Sequence, residues 1–219
     1  MARLDLPCLC LVTDRHQCKG RPLEDVVALA VEGGVTMVQL REKDLEASEL
    51  LRLAENLRDV IKGKALLFIN DRVDVALACD ADGVQLGESA LPVASARRVA
   101  GDRLLIGRSV HDVEGATRAE AEGADLLVAG TVFPTGSHSE AVPAGLELLE
   151  RIQAKVTIPC LAIGGVNEAN VEGVIKAGAS GAAVISAIIG SNNPQVAARL
   201  MTERMAQAWS VVTYSKIHG

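Results

Sequence analysis

Eight short apolar runs, each followed by a segment of helical periodicity, constrain this chain more than any other feature. The runs are "CLCLVT" (8–13), "MVQL" (37–40), "LLFI" (66–69), "GVQL" (83–86), "LLIG" (104–107), "LLVA" (126–129), "PCLAI" (159–163) and "AAVIS" (182–186). Between the first two lies "PLEDVVALAVEGG" (22–34), where Leu23, Val26, Val27 and Ala30 share one helical face and Gly33-Gly34 ends it. "SELLRLAENLRDVIKG" (48–63) repeats the pattern, with Ser48 expected as N-cap and Gly63 past the C-terminus. The spacing predicts further helices over 92–100, 112–122, 145–153, 168–178 and 194–208, and only the piece after "FINDRVDVALACD" is short. Strand-helix alternation of this kind requires parallel strands joined by right-handed crossovers. Strands buried on both faces read as continuous apolar runs, and eight units close a sheet. The expected fold is therefore α/β, a single (βα)8 TIM barrel over residues 1–219, with no linker-like stretch to divide it.

Composition agrees and narrows the partners. Hydrophobic residues make up 49 % but aromatics only 2 %, so the core must be built from Ala, Val, Leu and Ile. A net charge of −6, from 22 basic against 28 acidic side chains, leaves no basic stripe for nucleic acid. No stretch approaches the roughly 20 apolar residues of a membrane span, and "MARLDLPCLCLVTD" lacks the apolar length and cleavage site of a secretory signal, so a cytoplasmic location is expected. Cys8, Cys10, Cys18, Cys79 and Cys160 show no Cys-x-x-Cys spacing and fit buried thiols, with a zinc site on the first three as the alternative.

Three apolar runs stop abruptly at polar clusters: "MVQL" at "REKD", "LLFI" at "NDR", and "LIG" at "RSVHD". In a barrel, the C-terminal strand ends and the loops after them build the active site. Arg41 and Lys43 alternate along an extended segment and would present two cations to one pocket beside Gln39, the competing reading being that they pair with Glu42 and Asp44. Asn70-Asp71 offers a carboxylate suited to Mg²⁺, which prefers oxygen ligands shared with substrate phosphates. His111, two residues past Ser109, is the residue best suited to acid/base chemistry. "IGGV" (163–166) and "ISAIIG" (185–190) stand where barrels commonly grip a phosphate by backbone N–H groups, with Gly164 and Gly165 permitting close approach and Ser186 adding a hydroxyl. His138 lies in the longest loop, "FPTGSHSEAVPAG" (133–145), a candidate lid.

Taken in order, "VQLREKD", "INDRVDVALACDADGVQLG", "IGRSVHD", "GTVFPT", "AIGGV" and "VISAI" resemble the thiamine phosphate synthase / TenI family over nearly the whole chain. The resemblance implies one of two activities in thiamine biosynthesis. A synthase joins a hydroxymethylpyrimidine diphosphate to a thiazole phosphate and expels Mg²⁺-pyrophosphate through a cation-like pyrimidine. A TenI-type thiazole tautomerase moves a proton on a carboxylated thiazole phosphate. By similarity Gln39, Arg41, Lys43, Asn70 and Ser109 would face the pyrimidine diphosphate, and Asp71 would hold Mg²⁺. Thr135, Ser137, Gly164, Gly165, Ile185 and Ser186 would take the thiazole phosphate, and His111 matches the tautomerase's proton shuttle.

Two departures fall on diphosphate handling. The family's second Mg²⁺ ligand position is Ala90, with Glu88 nearby as a substitute, and a lysine expected in the loop after strand 6 is His138. Because the thiazole-phosphate side is intact, the sequence places a TenI-like tautomerase first, with His111 as acid/base. Thiamine phosphate synthase is the alternative, since Gln39, Arg41, Lys43, Asn70 and Asp71 would be surplus to a tautomerase, and a non-catalytic phosphate-ligand sensor is the third. Small-molecule phosphates are the expected ligands, and exposed apolar helix faces would suit a homodimer. The tail "WSVVTYSKIHG" (209–219) is left open between packing on the barrel and fraying.

Overall fold

The computed structural model describes residues 4–136 and 142–218. Eight parallel strands, β1 (Cys8–Val12), β2 (Met37–Leu40), β3 (Leu66–Asn70), β4 (Gly83–Leu86), β5 (Leu105–Val110), β6 (Leu126–Ala129), β7 (Cys160–Ile163) and β8 (Gly181–Val184), pair in sequence order. β8 returns to β1 with Gly181 opposite Cys8, so the sheet closes and no strand edge is exposed. Eight helices fill the crossovers and the last exit: α1 (Leu23–Glu32), α2 (Ala47–Ile61), α3 (Val73–Ala78), α4 (Val93–Ala100), α5 (Val113–Ala121), α6 (Gly145–Gln153), α7 (Val171–Lys176) and the single turn α8 (Ser186–Ile189). A long α9 (Pro194–His218) then packs across α1 and α7.

Side-chain alternation along the strands splits the apolar residues into two cores. Cys8, Cys10, Val12, Met37, Phe68, Leu126, Val128, Leu161 and Ala183 fill the barrel interior. Their neighbours, among them Leu9, Leu11, Val38, Leu67, Ile69, Val84 and Ile106, point outward beneath the helices. Burial on both faces is why each strand reads as an unbroken apolar run. The interior is filled tightly around its one aromatic: a Cβ on Gly83 would stand 2.4 Å from the Phe68 ring, so the largest side chain requires the smallest opposite it.

Two local expectations change. The cap of α2 is Glu46, not Ser48, because the Glu46 carbonyl already accepts from Glu49 (3.1 Å) and Leu50 (2.9 Å), which places Ser48 inside the first turn. The tail continues α9 as helix to His218. Ala198, Met201, Met205 and Ala208 form its buried stripe, and Trp209 packs partly buried against the same core. All five cysteines are free and buried. Among the described residues no helix is long and apolar enough to cross a membrane.

Candidate active site

The interior of the barrel changes character at its C-terminal mouth. On β2, β3, β4 and β5 the last inward positions are polar: Gln39, Asn70, Gln85 and Ser109. On β6 to β8 the cavity is walled instead by Val128, Ile163 and Ala183. All of these but Gln85, which lies buried beneath, line a cavity of about 930 Å³ with one polar and one apolar side. Gln39 Nε2 donates to Asn70 Oδ1 (2.9 Å), Asn70 Nδ2 donates to Asp71 Oδ2 (2.8 Å), and the Gly87 N–H donates to Asp71 Oδ1 (2.7 Å). Asp71 itself sits at φ +61, a left-handed conformation in which short polar residues are the best tolerated side chains. Both carboxylate oxygens are thereby fixed, each with lone pairs to spare beside the cavity.

The "REKD" run sorts by sign. Glu42, only 5 % exposed, accepts from the Arg15 guanidinium (2.9 Å) and from the Arg15 backbone N–H (3.1 Å). Asp44 takes the same guanidinium as a fork, at 2.6 and 2.5 Å, and that contact holds its carboxyl well below the usual carboxylate range. Arg41 and Lys43 line the cavity and have no carboxylate or carbonyl partner among the described residues. The competing expectation, that they pair with Glu42 and Asp44, is set aside by Arg15.

Opposite this polar side stand the glycines. Gly164 (φ +97) and Gly165 (φ +64) adopt conformations that disfavour a side chain, and a Cβ would meet Thr131 at 2.6 Å and the Pro134 carbonyl at 2.5 Å. Asn167 and Asn170 both donate to the Gly165 carbonyl (3.1 and 3.0 Å), so the N–H of that planar peptide, Val166's, is turned the other way. Ile185, Ser186 and Ala187 complete this wall, where the first turn of α8 leaves N–H groups without intrahelical partners.

His111 lies at the rim. Its Nδ1 contacts the Gly130 carbonyl oxygen, which can only accept, so Nδ1 carries a proton and Nε2 faces outward. Nε2 lies 3.2 Å from Glu88 Oε1, an ion pair whenever the ring is protonated. Glu88 and Ser89 line the main cavity with Asp71, whereas Ala90 packs against the outer core and lines an adjoining groove of about 340 Å³, which shares Glu88, Ser109 and His111 with the cavity. Among the described residues no three or more His, Cys, Asp and Glu gather as a metal cluster. The donors fit the way Mg²⁺ is held by one or two carboxylates together with substrate phosphates: Asp71, with Glu88 on the same rim.

The structure thus brings Gln39, Arg41, Lys43, Asn70, Asp71, Ser109, His111, Thr135, Gly164, Gly165, Ile185 and Ser186 to one cavity. Ser137 and His138 lie outside the described residues. Arg15, Thr13 and Gln85 were not singled out from sequence. Thr13 Oγ1 accepts the Arg41 N–H (2.9 Å), and Gln85 Nε2 donates to Ser109 (3.1 Å). The signal for the first two was present, since "CLCLV" stops at Thr13-Asp14-Arg15 as abruptly as the other runs do.

Comparison with known proteins identifies the family independently of the geometry. A family model described as thiamine monophosphate synthase matches residues 9–188. A putative thiamine-phosphate synthase of Geobacter sulfurreducens is 48 % identical over 92 % of this chain and 95 % of the relative. The thiamine-phosphate synthase of Methanoculleus marisnigri is 46 % identical over 91 % and 96 %. Among solved structures, thiamine phosphate pyrophosphorylase from Pyrococcus furiosus superposes with a TM-score of 0.85 at 41 % identity, covering 92 % of this chain and 96 % of that one. With the barrel, the strand-end motifs and the family model in agreement over most of its length, this chain belongs to the thiamine monophosphate synthase family.

Proposed function

We propose that the protein is a thiamine phosphate synthase, joining a hydroxymethylpyrimidine diphosphate to a thiazole phosphate with release of pyrophosphate. The observation that carries this is the pair of cations, Arg41 and Lys43, facing the same cavity as Asp71 without an acidic partner among the described residues. A proton-transfer enzyme has no use for that array, and a diphosphate does. The tautomerase that the sequence placed first is the weaker reading, because the relatives carry the synthase name.

In this reading the Gln39–Asn70 amide pair orients the pyrimidine edge, and Ser109 adds a hydroxyl beside it. Arg41 and Lys43 take the diphosphate and stabilise the charge that develops as its bond to the pyrimidine methylene breaks. Asp71, with Glu88 in reach of the same rim, would hold Mg²⁺, which neutralises diphosphate oxygens when bound. The Gly164-Gly165 turn and Ser186 hold the thiazole phosphate so that its ring nitrogen meets the pyrimidine carbon across the apolar side. The test is pyrophosphate release from the two substrates with and without Mg²⁺. Metal-dependent turnover is expected, and silence at millimolar Mg²⁺ alongside isomerisation of a carboxythiazole phosphate would replace the synthase with the tautomerase.

A further inference from the structure

Arg41-Glu42-Lys43-Asp44 carries two charges of each sign in four residues, and a free loop of that composition would largely neutralise itself. In the folded chain it does not. The segment leaving β1 is fastened to the segment leaving β2 along its whole length: the Thr13 N–H donates to the Gln39 carbonyl (2.9 Å), the Arg41 N–H to Thr13 Oγ1 (2.9 Å), and the Arg15 N–H to Glu42. At the end of that seam the Arg15 guanidinium spans both carboxylates, binding buried Glu42 with one nitrogen and forking onto Asp44 with two. His16 adds a contact to Asp44 at 3.3 Å. Arg15 does not line the cavity, although Asp14 and Gln17 on either side do. Its charge serves the loop and not a ligand.

We propose that Arg15 is a positioning residue for diphosphate recognition: by holding Glu42 and Asp44 it keeps both carboxylates away from Arg41 and Lys43, whose charges are then available to the anion. The inference rests on the reading of the polar side as a diphosphate site. Arginine suits the task because its planar fork reaches two carboxylates at once, where the single ammonium of a lysine would satisfy one. Without it, Glu42 and Asp44 are freed beside two cations on the same loop, and the diphosphate must compete with them.

The experiment titrates inorganic pyrophosphate with Mg²⁺ into the full-length protein by calorimetry, beside steady-state kinetics with both substrates. Arg15→Gln should weaken pyrophosphate about tenfold or more and raise KM for the pyrimidine diphosphate, with kcat and the KM for thiazole phosphate nearly unchanged. Arg15→Gln/Glu42→Gln/Asp44→Asn removes the competing carboxylates with their keeper. It should bind pyrophosphate within about threefold of the wild type, which a merely structural arginine does not predict. Arg15→Lys should fall between. Should Arg15→Gln fail to fold, the triple variant, which leaves no buried charge uncompensated, carries the test alone. A triple variant tenfold weaker than wild type, or an Arg15→Gln protein that binds normally, overturns the inference. A wild type that binds thiazole phosphate but no pyrophosphate overturns the diphosphate reading itself, and the inference with it.

Discussion

Asp71 Oδ1 accepts the backbone N–H of Gly87 at 2.7 Å, which ties the carboxylate at the end of β3 to the turn leaving β4. The bond separates two functions of one side chain. Holding the turn needs an acceptor oxygen and a residue that tolerates φ +61, whereas holding a metal needs a charge. Asparagine supplies the first two and lacks the third. Asp71→Asn keeps the Gly87 bond but turns its new NH2 toward the Asn70 amide that donates to Oδ2 in the wild type, so it should remain folded with a loss of about 1–3 kcal/mol. Its Mg²⁺-dependent pyrophosphate release should fall by about 10²–10³. Asp71→Ala should lose both, and a Mg²⁺ titration beside a thermal melt separates the two variants.

His111 gives the cleanest discrimination between the two family activities. Its Nδ1 is held at the Gly130 carbonyl and its Nε2 lies 3.2 Å from Glu88, and the condensation proposed for this site asks no proton transfer of the ring. His111→Ala should leave pyrophosphate release within about tenfold of wild type. A fall of about 10²–10⁴, the usual worth of a general acid or base, would put the chemistry on this residue after all.

Position 107 tests the packing beneath the cavity. A Cβ on Gly107 would stand 2.0 Å from Gln85 Oε1, an oxygen that is buried and has no partner among the described residues. Gly107→Ala should destabilise by about 1–3 kcal/mol through overpacking. Gln85→Ala leaves a void and removes the donor to Ser109, with a cost of its own. Combined, the added methyl enters the space that the amide vacated, so the double variant should be more stable than the sum of the singles by about 1 kcal/mol in urea melts.

The Gly164-Gly165 turn makes a prediction of the opposite kind. Ala at 165 must hold φ +64 and place its methyl 2.5 Å from the Pro134 carbonyl, which backbone cannot yield cheaply. Gly165→Ala should cost about 2–4 kcal/mol from strain and overpacking together. It should weaken inorganic phosphate and thiazole phosphate, measured by calorimetry, while the protein remains folded and still binds pyrophosphate.

What could be read in advance follows from what each residue answers to. The strands were legible because a barrel strand is buried on both faces, so Met37-Val38-Gln39-Leu40 announces itself without knowledge of its neighbours. Arg41 and Lys43 were legible as a pair only up to a choice between two partners, and the choice was made by Arg15, 27 residues from Glu42 and on another strand's exit. Local spacing holds no information about such a contact. Position 90 was read as a departure from the resemblance, with Glu88 nearby, and in the fold Ala90 packs against the outer core while Glu88 and Ser89 occupy the rim. The start of α2 was misplaced by two residues because a favourable cap residue, Ser48, stood just inside a helix that begins on backbone bonds alone.

The buried thiols set an alkaline limit on the fold. Burial pushes Cys8 and Cys160 up to about 12 from an ordinary value of 9.0, and it raises Cys10 as well, with Cys8 adjacent to it. Above pH 9 the unfolded chain releases these protons while the folded chain retains them, so the unfolded state binds fewer protons and stability falls as pH rises. The contribution is whole below pH 9 and is lost between about pH 9 and 12, at a limiting slope of about 1.4 kcal/mol per pH unit for each thiol. Urea midpoints at pH 8, 9, 10 and 11 should therefore decline more steeply for the wild type than for Cys160→Ala, by about one thiol's share of the slope. Equal slopes would mean that the Cys160 thiol ionises in place, with the barrel wall open to solvent on the β7 side.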